Sequence, residues 1–119
     1  MPRPDDYIVR ARLAELLERL GEDDPAMEHY RKVLQARPDL ARAHLRLDRL
    51  LIGQEQVAEA LQHGQEALRI DPALYEAHQV IGLAMQQQGR LDEAEHHFSE
   101  AQRHETNGNV DLRQRQDLF

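Results

Sequence analysis

Residues 89–101 read Gly89-Arg90-Leu91-Asp92-Glu93-Ala94-Glu95-His96-His97-Phe98-Ser99-Glu100-Ala101. A step back of 34 positions lays Glu55, Ala60, His63 and Gly64 under Gly89, Ala94, His97 and Phe98. A second step of 34 reaches Gly21, Ala26, His29 and Tyr30. Outside the quoted stretch, Pro72 falls on Pro38 and Leu68 on Leu34 at the same interval. A fixed period of roughly 20–50 residues marks stacked supersecondary units, each burying its apolar face only against the next. Such a chain presents an extended surface to a partner; it does not wrap a pocket around a substrate.

Composition points to helices. Aromatic residues are 4% of the chain, so the core must be built from Leu, Ala, Ile and Val. The abundance of Ala, Leu, Glu, Arg and Gln follows helix propensity. Proline, glycine and aspartate then cut the chain into six helices. The first spans about 5–20, opened by Pro4 and the pair Asp5-Asp6 and stopped by Gly21. The second spans about 25–37, with Asp24 as N-cap and Pro25 at the first helical position, and ends at Pro38. The third follows Asp39 and runs to about residue 52, and the fourth spans about 55–70. Asp71-Pro72 opens the fifth, which runs to about 88, and the sixth spans about 91–105 after Gly89. Short connections force each successive pair into an antiparallel hairpin.

Read together, these residues resemble the tetratricopeptide repeat family. Small residues at Ala14, Ala26, Gly82 and Ala94, large residues at Tyr30 and Phe98, alanines at Ala67 and Ala101, and closing prolines at Pro38 and Pro72 stand where the family has them. The string Gly89 to Ala94 matches the family's turn into its second helix. The resemblance covers about residues 7–106. It implies an all-α, right-handed superhelical solenoid of three hairpins, with repeats at about 7–40, 41–74 and 75–106. Residues 107–119, opening Asn107-Gly108-Asn109, are then a C-terminal tail or a short capping helix.

The departures from the family pattern cluster in the middle repeat. The family's tryptophan is absent, replaced by Arg10, His44 and His78. Asp48 takes a small-residue slot and Gly64 the large aromatic one. A carboxylate in a tight helix–helix contact needs room or a partner. Gly64 supplies the room, and His44, one turn before Asp48, is the expected partner. The middle repeat is therefore expected to be the weakest, and an aromatic placed at Gly64 alone should not stabilise it. The last helix is more polar, with Gln102 where Leu34 and Leu68 stand and His104 where Ala36 and Ile70 stand. A terminal repeat needs such an outer face, so the array reads as finished at three.

Catalysis and metal binding find little footing. There is no cysteine, and Ser99, Thr106 and Lys32 are the only residues of their types. No glycine loop for phosphates and no nucleophile elbow occurs. His29, His63 and His97 form one column and His44 and His78 another. Packed helices lie about 8–10 Å apart while zinc–nitrogen bonds are about 2 Å, so ligands on successive repeats do not converge. Glu93 and His96 are an acid–histidine pair without the second pair that a di-iron site needs. No enzyme activity, cofactor or metal is expected.

In the family, the concave groove is lined by one face of each repeat's first helix. That mapping gives Ala11, Arg12 and Glu15, then Arg42, Leu45, Arg46 and Arg49, then Glu76, Gln79, Val80 and Leu83. Arg42, Arg46 and Arg49 share one helix face and invite an acidic peptide or a C-terminal carboxylate. The bland alternative is intramolecular pairing to Glu15 or Glu76. The expected function is a non-catalytic scaffold that binds a partner's peptide, with Leu45, Val80 and Leu83 as anchors. A self-associating scaffold or homo-oligomer, and a regulatory arm of a larger enzyme, are the alternatives. Residues 1–50 carry ten basic and ten acidic side chains and residues 51–119 five and twelve, giving the net charge of −7. An acidic second half argues against nucleic acid, whose affinity is dominated by phosphate contacts. No leader or membrane-spanning run is read, so no membrane partner and a cytoplasmic location are expected.

Overall fold

The structure is a computed structural model that describes residues 6–117, with side chains through residue 105. It is all-α, with no strand among the described residues: α1 (Tyr7–Arg19), α2 (Asp23–Ala36), α3 (Ala41–Gly53), α4 (Val57–Ile70), α5 (Tyr75–Gln87) and α6 (Leu91–Asp117). Consecutive helices pair as the hairpins α1/α2, α3/α4 and α5/α6, and each hairpin stacks on the next. The first helices of neighbouring hairpins also touch, α3 against α5. The molecule is a three-repeat solenoid.

The turns within the hairpins show what the repeat imposes on the backbone. Gly21, Glu55 and Gly89, spaced by the period, all adopt left-handed φ values, +79°, +62° and +75°. Glycine does so without strain, whereas a side chain costs about 1–2 kcal/mol. Glu55 is thus part of the turn and not the start of a helix, and α4 begins later than the expected 55. At the other hairpin entry, Ala26 N–H bonds the Glu22 carbonyl at 3.1 Å, so α2 begins at Asp23 and Glu22 is its cap. Pro25 still costs no hydrogen bond there, because the first turn's amides have no partner within the helix. Asp24, expected as the cap, instead accepts Gln54 Nε2 at 2.7 Å. α1 begins at Tyr7, later than the expected 5, with Asp6 of the expected acidic pair as its cap: Asp6 Oδ1 accepts the Ile8 amide at 3.0 Å, while Pro4 and Asp5 lie outside the described residues.

The core follows the seams. Ala14, Tyr30, Val33, Leu47, Leu51, Ala60, Ala77 and Val80 belong to one continuous cluster, and Ile81, Met85 and Ala94 continue it into the last hairpin, packed by Leu61 and Leu68. Phe98 lies across Gly82: a Cβ there would stand 2.7 Å from the ring's Cε1. The last helix does not stop near 105. Its backbone continues to Asp117, so Asn107-Gly108-Asn109 is spanned by one helix instead of separating a tail or capping helix. A glycine inside a helix costs only about 1 kcal/mol, too little to break a propagating hydrogen-bond ladder by itself. Residues 118 and 119 of the expected tail lie outside the described residues.

Candidate functional site

The groove residues assemble on one face through ion pairs that cross the seams. Arg46 of α3 reaches Glu15 Oε1 and Glu18 Oε1 of α1, each at 3.7 Å. Arg42 reaches Glu76 of α5 at 3.6 Å. Glu18 also accepts the buried Tyr30 hydroxyl at 2.8 Å, and burial together with that carboxylate holds the phenol protonated by raising its pKa. Two of the three arginines on α3 are thus partnered within the molecule. Arg49 is exposed, as are Arg12 and Leu83, while Gln79 is half-buried.

The anchors need correction. Leu45 and Val80 are buried in the core, not open to a ligand, and of the three expected anchors only Leu83 is exposed. Both belong to the core cluster that runs through the stack. The groove is therefore a largely self-compensated polar floor, with Arg12 and Arg49 as exposed cations and Leu83 as its exposed apolar contact.

Asp48 is enclosed and has no hydrogen-bond partner for either carboxylate oxygen. His44 does not pair with it. His44 Nε2 meets the Pro38 carbonyl at 2.9 Å, which requires the proton on Nε2 and leaves Nδ1 as an acceptor. His63 Nδ1 lies 3.0 Å from that acceptor and must donate to it. Asp48 instead faces Gly64, whose missing Cβ would stand 2.6 Å from Oδ2. Desolvation pushes the Asp48 carboxyl up to about 8 against a weaker opposing pull from Arg49. It is neutral at pH 7, which removes the cost of burying a charge.

The two histidine columns cross-pair within each repeat. His78 and His97 place their Nδ1 atoms 3.1 Å apart, as His44 and His63 do, and in the first hairpin Arg10 meets His29 at 3.4 Å. Desolvation first, and the neighbouring imidazole second, lower the pKa of both His63 and His97. His78 is lowered by desolvation and by His104. His78, Glu100 and His104 bring one ligand atom each within 4.8 Å of one another, a donor set that suits a borderline metal such as zinc. Residue spacing did not show this triad, because His104 and Glu100 reach His78 across a hairpin, within one repeat. To ligate, His78 must give up a bond: its Nδ1 faces His97 and it also bonds the Pro72 carbonyl.

One further feature escaped the sequence reading. Val9, Leu13 and Leu16 form an exposed stripe along α1, at 62%, 41% and 52% exposure. One period on, Ala43, Leu47 and Leu50 are buried, and two periods on so are Ala77, Ile81 and Ala84. The signal was present in the 34-residue register, which places α1 at the seam position with no helix packed on that face among the described residues.

Comparison with known proteins agrees with this architecture. Tetratricopeptide repeat family models match residues 51–114 and 9–40. No curated protein matches the sequence. Among solved structures, the chain is similar to MamA of MSR-1, with a TM-score of 0.79 and 26% identity over 88% of this chain and 60% of that one. It is similar to MamA of AMB-1, with a TM-score of 0.80 and 27% identity over 87% and 62%. It is also similar to MamA from Desulfovibrio magneticus RS-1, with a TM-score of 0.80 and 25% identity over 88% and 59%. The chain spans about 60% of the length of these MamA structures.

Proposed function

This chain belongs to the tetratricopeptide repeat family, and from that premise we propose that it is a non-catalytic scaffold that holds a peptide segment of a partner protein against the face shared by α1, α3 and α5. The observation that carries the reading is the placement of Glu15, Arg42, Arg46 and Glu76 on one face, stitched across two seams. A family fold supplies the class of function, and the site supplies its particulars. The ligand's acids meet Arg49 and Arg12, while Leu83 takes an apolar side chain. Arg42 and Arg46 keep the floor in shape, and an acidic segment competes with Glu15 and Glu76 for them. Exposed charges of this kind set on-rate and orientation more than affinity. We take the cytoplasm as its compartment on the sequence reading alone.

The test is affinity capture from the native lysate with three baits of matched helicity: wild type, Arg49→Glu/Leu83→Asp, and Arg69→Glu on the outer helix α4. A partner held by wild type and by the outer variant, and lost from the groove variant, is the expected result. Equal retention by all three baits removes the groove from the proposal.

A further inference from the structure

We propose that the chain stacks head to tail on copies of itself, with the exposed face of α1 docking on the exposed face of α6 of the next copy. The internal seam between the second and third repeats gives the template. There Ile81 of α5 lies against Gly64 of α4, and Leu61 and Leu68 of α4 pack on the cluster that Ile81 forms with Met85 and Ala94. One period beyond Leu61, Gly64 and Leu68 stand Glu95, Phe98 and Gln102 of α6. These three, with Leu91, Ala94, Ser99 and Gln86, line an open cavity of about 260 Å³. Two periods before Ile81 stands Leu13, exposed on α1 between Val9 and Leu16. A second copy placed in the solenoid's own register therefore carries Leu13 to the cavity beside Phe98.

Charge selects the same pairing. Arg12 and Arg19 flank the apolar stripe of α1, both exposed. Glu95 and Glu105 are exposed on the face of α6. A pairing of two α1 faces would set arginine against arginine, and a pairing of two α6 faces acid against acid. Opposite charge across a contact suppresses such wrong pairings. Because the two faces differ, the contact is heterologous, and in the solenoid's own superhelical register it continues as an open stack and not as a ring. Glu95 and Gln102 make it more polar than the internal seams, so association is reversible. Arg12 borders both faces, but Arg49 and Leu83 stay open in such a stack and the variants at Val9, Leu16, Leu91 and Ser99 spare the concave face, so this proposal and the peptide-binding reading fail separately.

The experiment uses the full chain with two double variants. Val9→Glu/Leu16→Glu blocks the head, and Leu91→Lys/Ser99→Arg blocks the tail. All four positions are exposed, and circular dichroism verifies that helicity is kept. Sedimentation is followed from micromolar to millimolar concentration. The expected result is a wild-type mass that climbs through dimer and beyond, with either variant alone remaining at the single-chain mass. An equimolar mixture of the two variants should form dimers and nothing larger, because it contains one working head and one working tail. A wild type that stays monomeric overturns the proposal and leaves α1 as a docking face for another protein. A mass that levels off at dimer and is abolished by the head variant alone overturns it in favour of α1 against α1. Variants that leave the mass curve unchanged overturn it as well.

Discussion

A single carboxyl group at the centre of the chain sets the pH response. Folded Asp48 keeps its proton up to about 8, whereas an unfolded aspartate loses it near 3.8. Between those values the folded state binds the extra proton, so rising pH erodes stability. The slope is about 1.4 kcal/mol per pH unit for one such group. His63, His78 and His97 act with the opposite sign, because their folded pKa values are depressed below 6.5. Below that value the unfolded chain takes up more protons, so their contribution is lost as pH falls. The wild type is therefore expected to lose stability as pH rises from about 6.5 to 8, while Asp48→Asn keeps a flat profile there and loses stability only on the acid side. Urea unfolding across that range decides the matter. Parallel profiles for the two proteins would show that Asp48 does not titrate as its burial dictates.

At the level of helix pairs, the three repeats solve one packing problem in different ways. The pairs in register are Ala14 with Tyr30, Asp48 with Gly64, and Gly82 with Phe98. A phenylalanine at Gly64 alone has nowhere to go, since its Cβ meets Asp48 Oδ2 at 2.6 Å and Ile81 Cγ1 at 2.7 Å. Gly64→Phe should cost about 1–3 kcal/mol as overpacking. The double variant Asp48→Ala/Gly64→Phe should recover part of that loss, since the Ile81 contact remains, a non-additivity that a double-mutant cycle in urea measures directly. Phenylalanine is the right probe and tyrosine is not, because Ile52 stands where Glu18 accepts the Tyr30 hydroxyl. Additive single and double effects would separate Asp48 from Gly64. This pair was legible in the sequence because period and family pattern together flag a misplaced residue. The partner of His44 was not, because two residues one turn apart can rotate toward different neighbours. Leu45 and Val80 were misjudged for a related reason: periodicity says which face a side chain is on, not how closely the next helix approaches it. The breaker-rich 107–109 segment was misjudged because a local preference of about 1 kcal/mol is weaker than the cooperativity of a helix already formed.

Across the whole molecule, shape and charge are linked. The Cα radius of gyration is 16.1 Å, against about 13–14 Å for a compact domain of this length. The pairs Arg46 with Glu15 and Glu18, and Arg42 with Glu76, tie the inner edge of the stack across both seams. Exposed pairs contribute under about 1 kcal/mol each, too little to decide whether the chain folds. They are enough to bias how far neighbouring repeats close on one another. Small-angle scattering on the head-blocked variant should show the radius of gyration growing as salt rises toward about 1 M, where screening acts within about 3 Å. The Arg42→Gln/Arg46→Gln variant should begin expanded and change little with salt. A radius independent of both salt and substitution would separate curvature from these ion pairs. The place of Asp48 in this linear array has one more consequence. In a row of three units, each end has one neighbour and the centre has two, so the central unit alone carries cooperativity from one end to the other. Asp48 faces α4 at Gly64, which itself abuts α5 at Ile81. While its proton is in place, the array melts as one body. Ionisation of the carboxylate above about pH 8 is therefore expected to loosen the central unit and to broaden the melt, which calorimetry on either side of that pH reads directly.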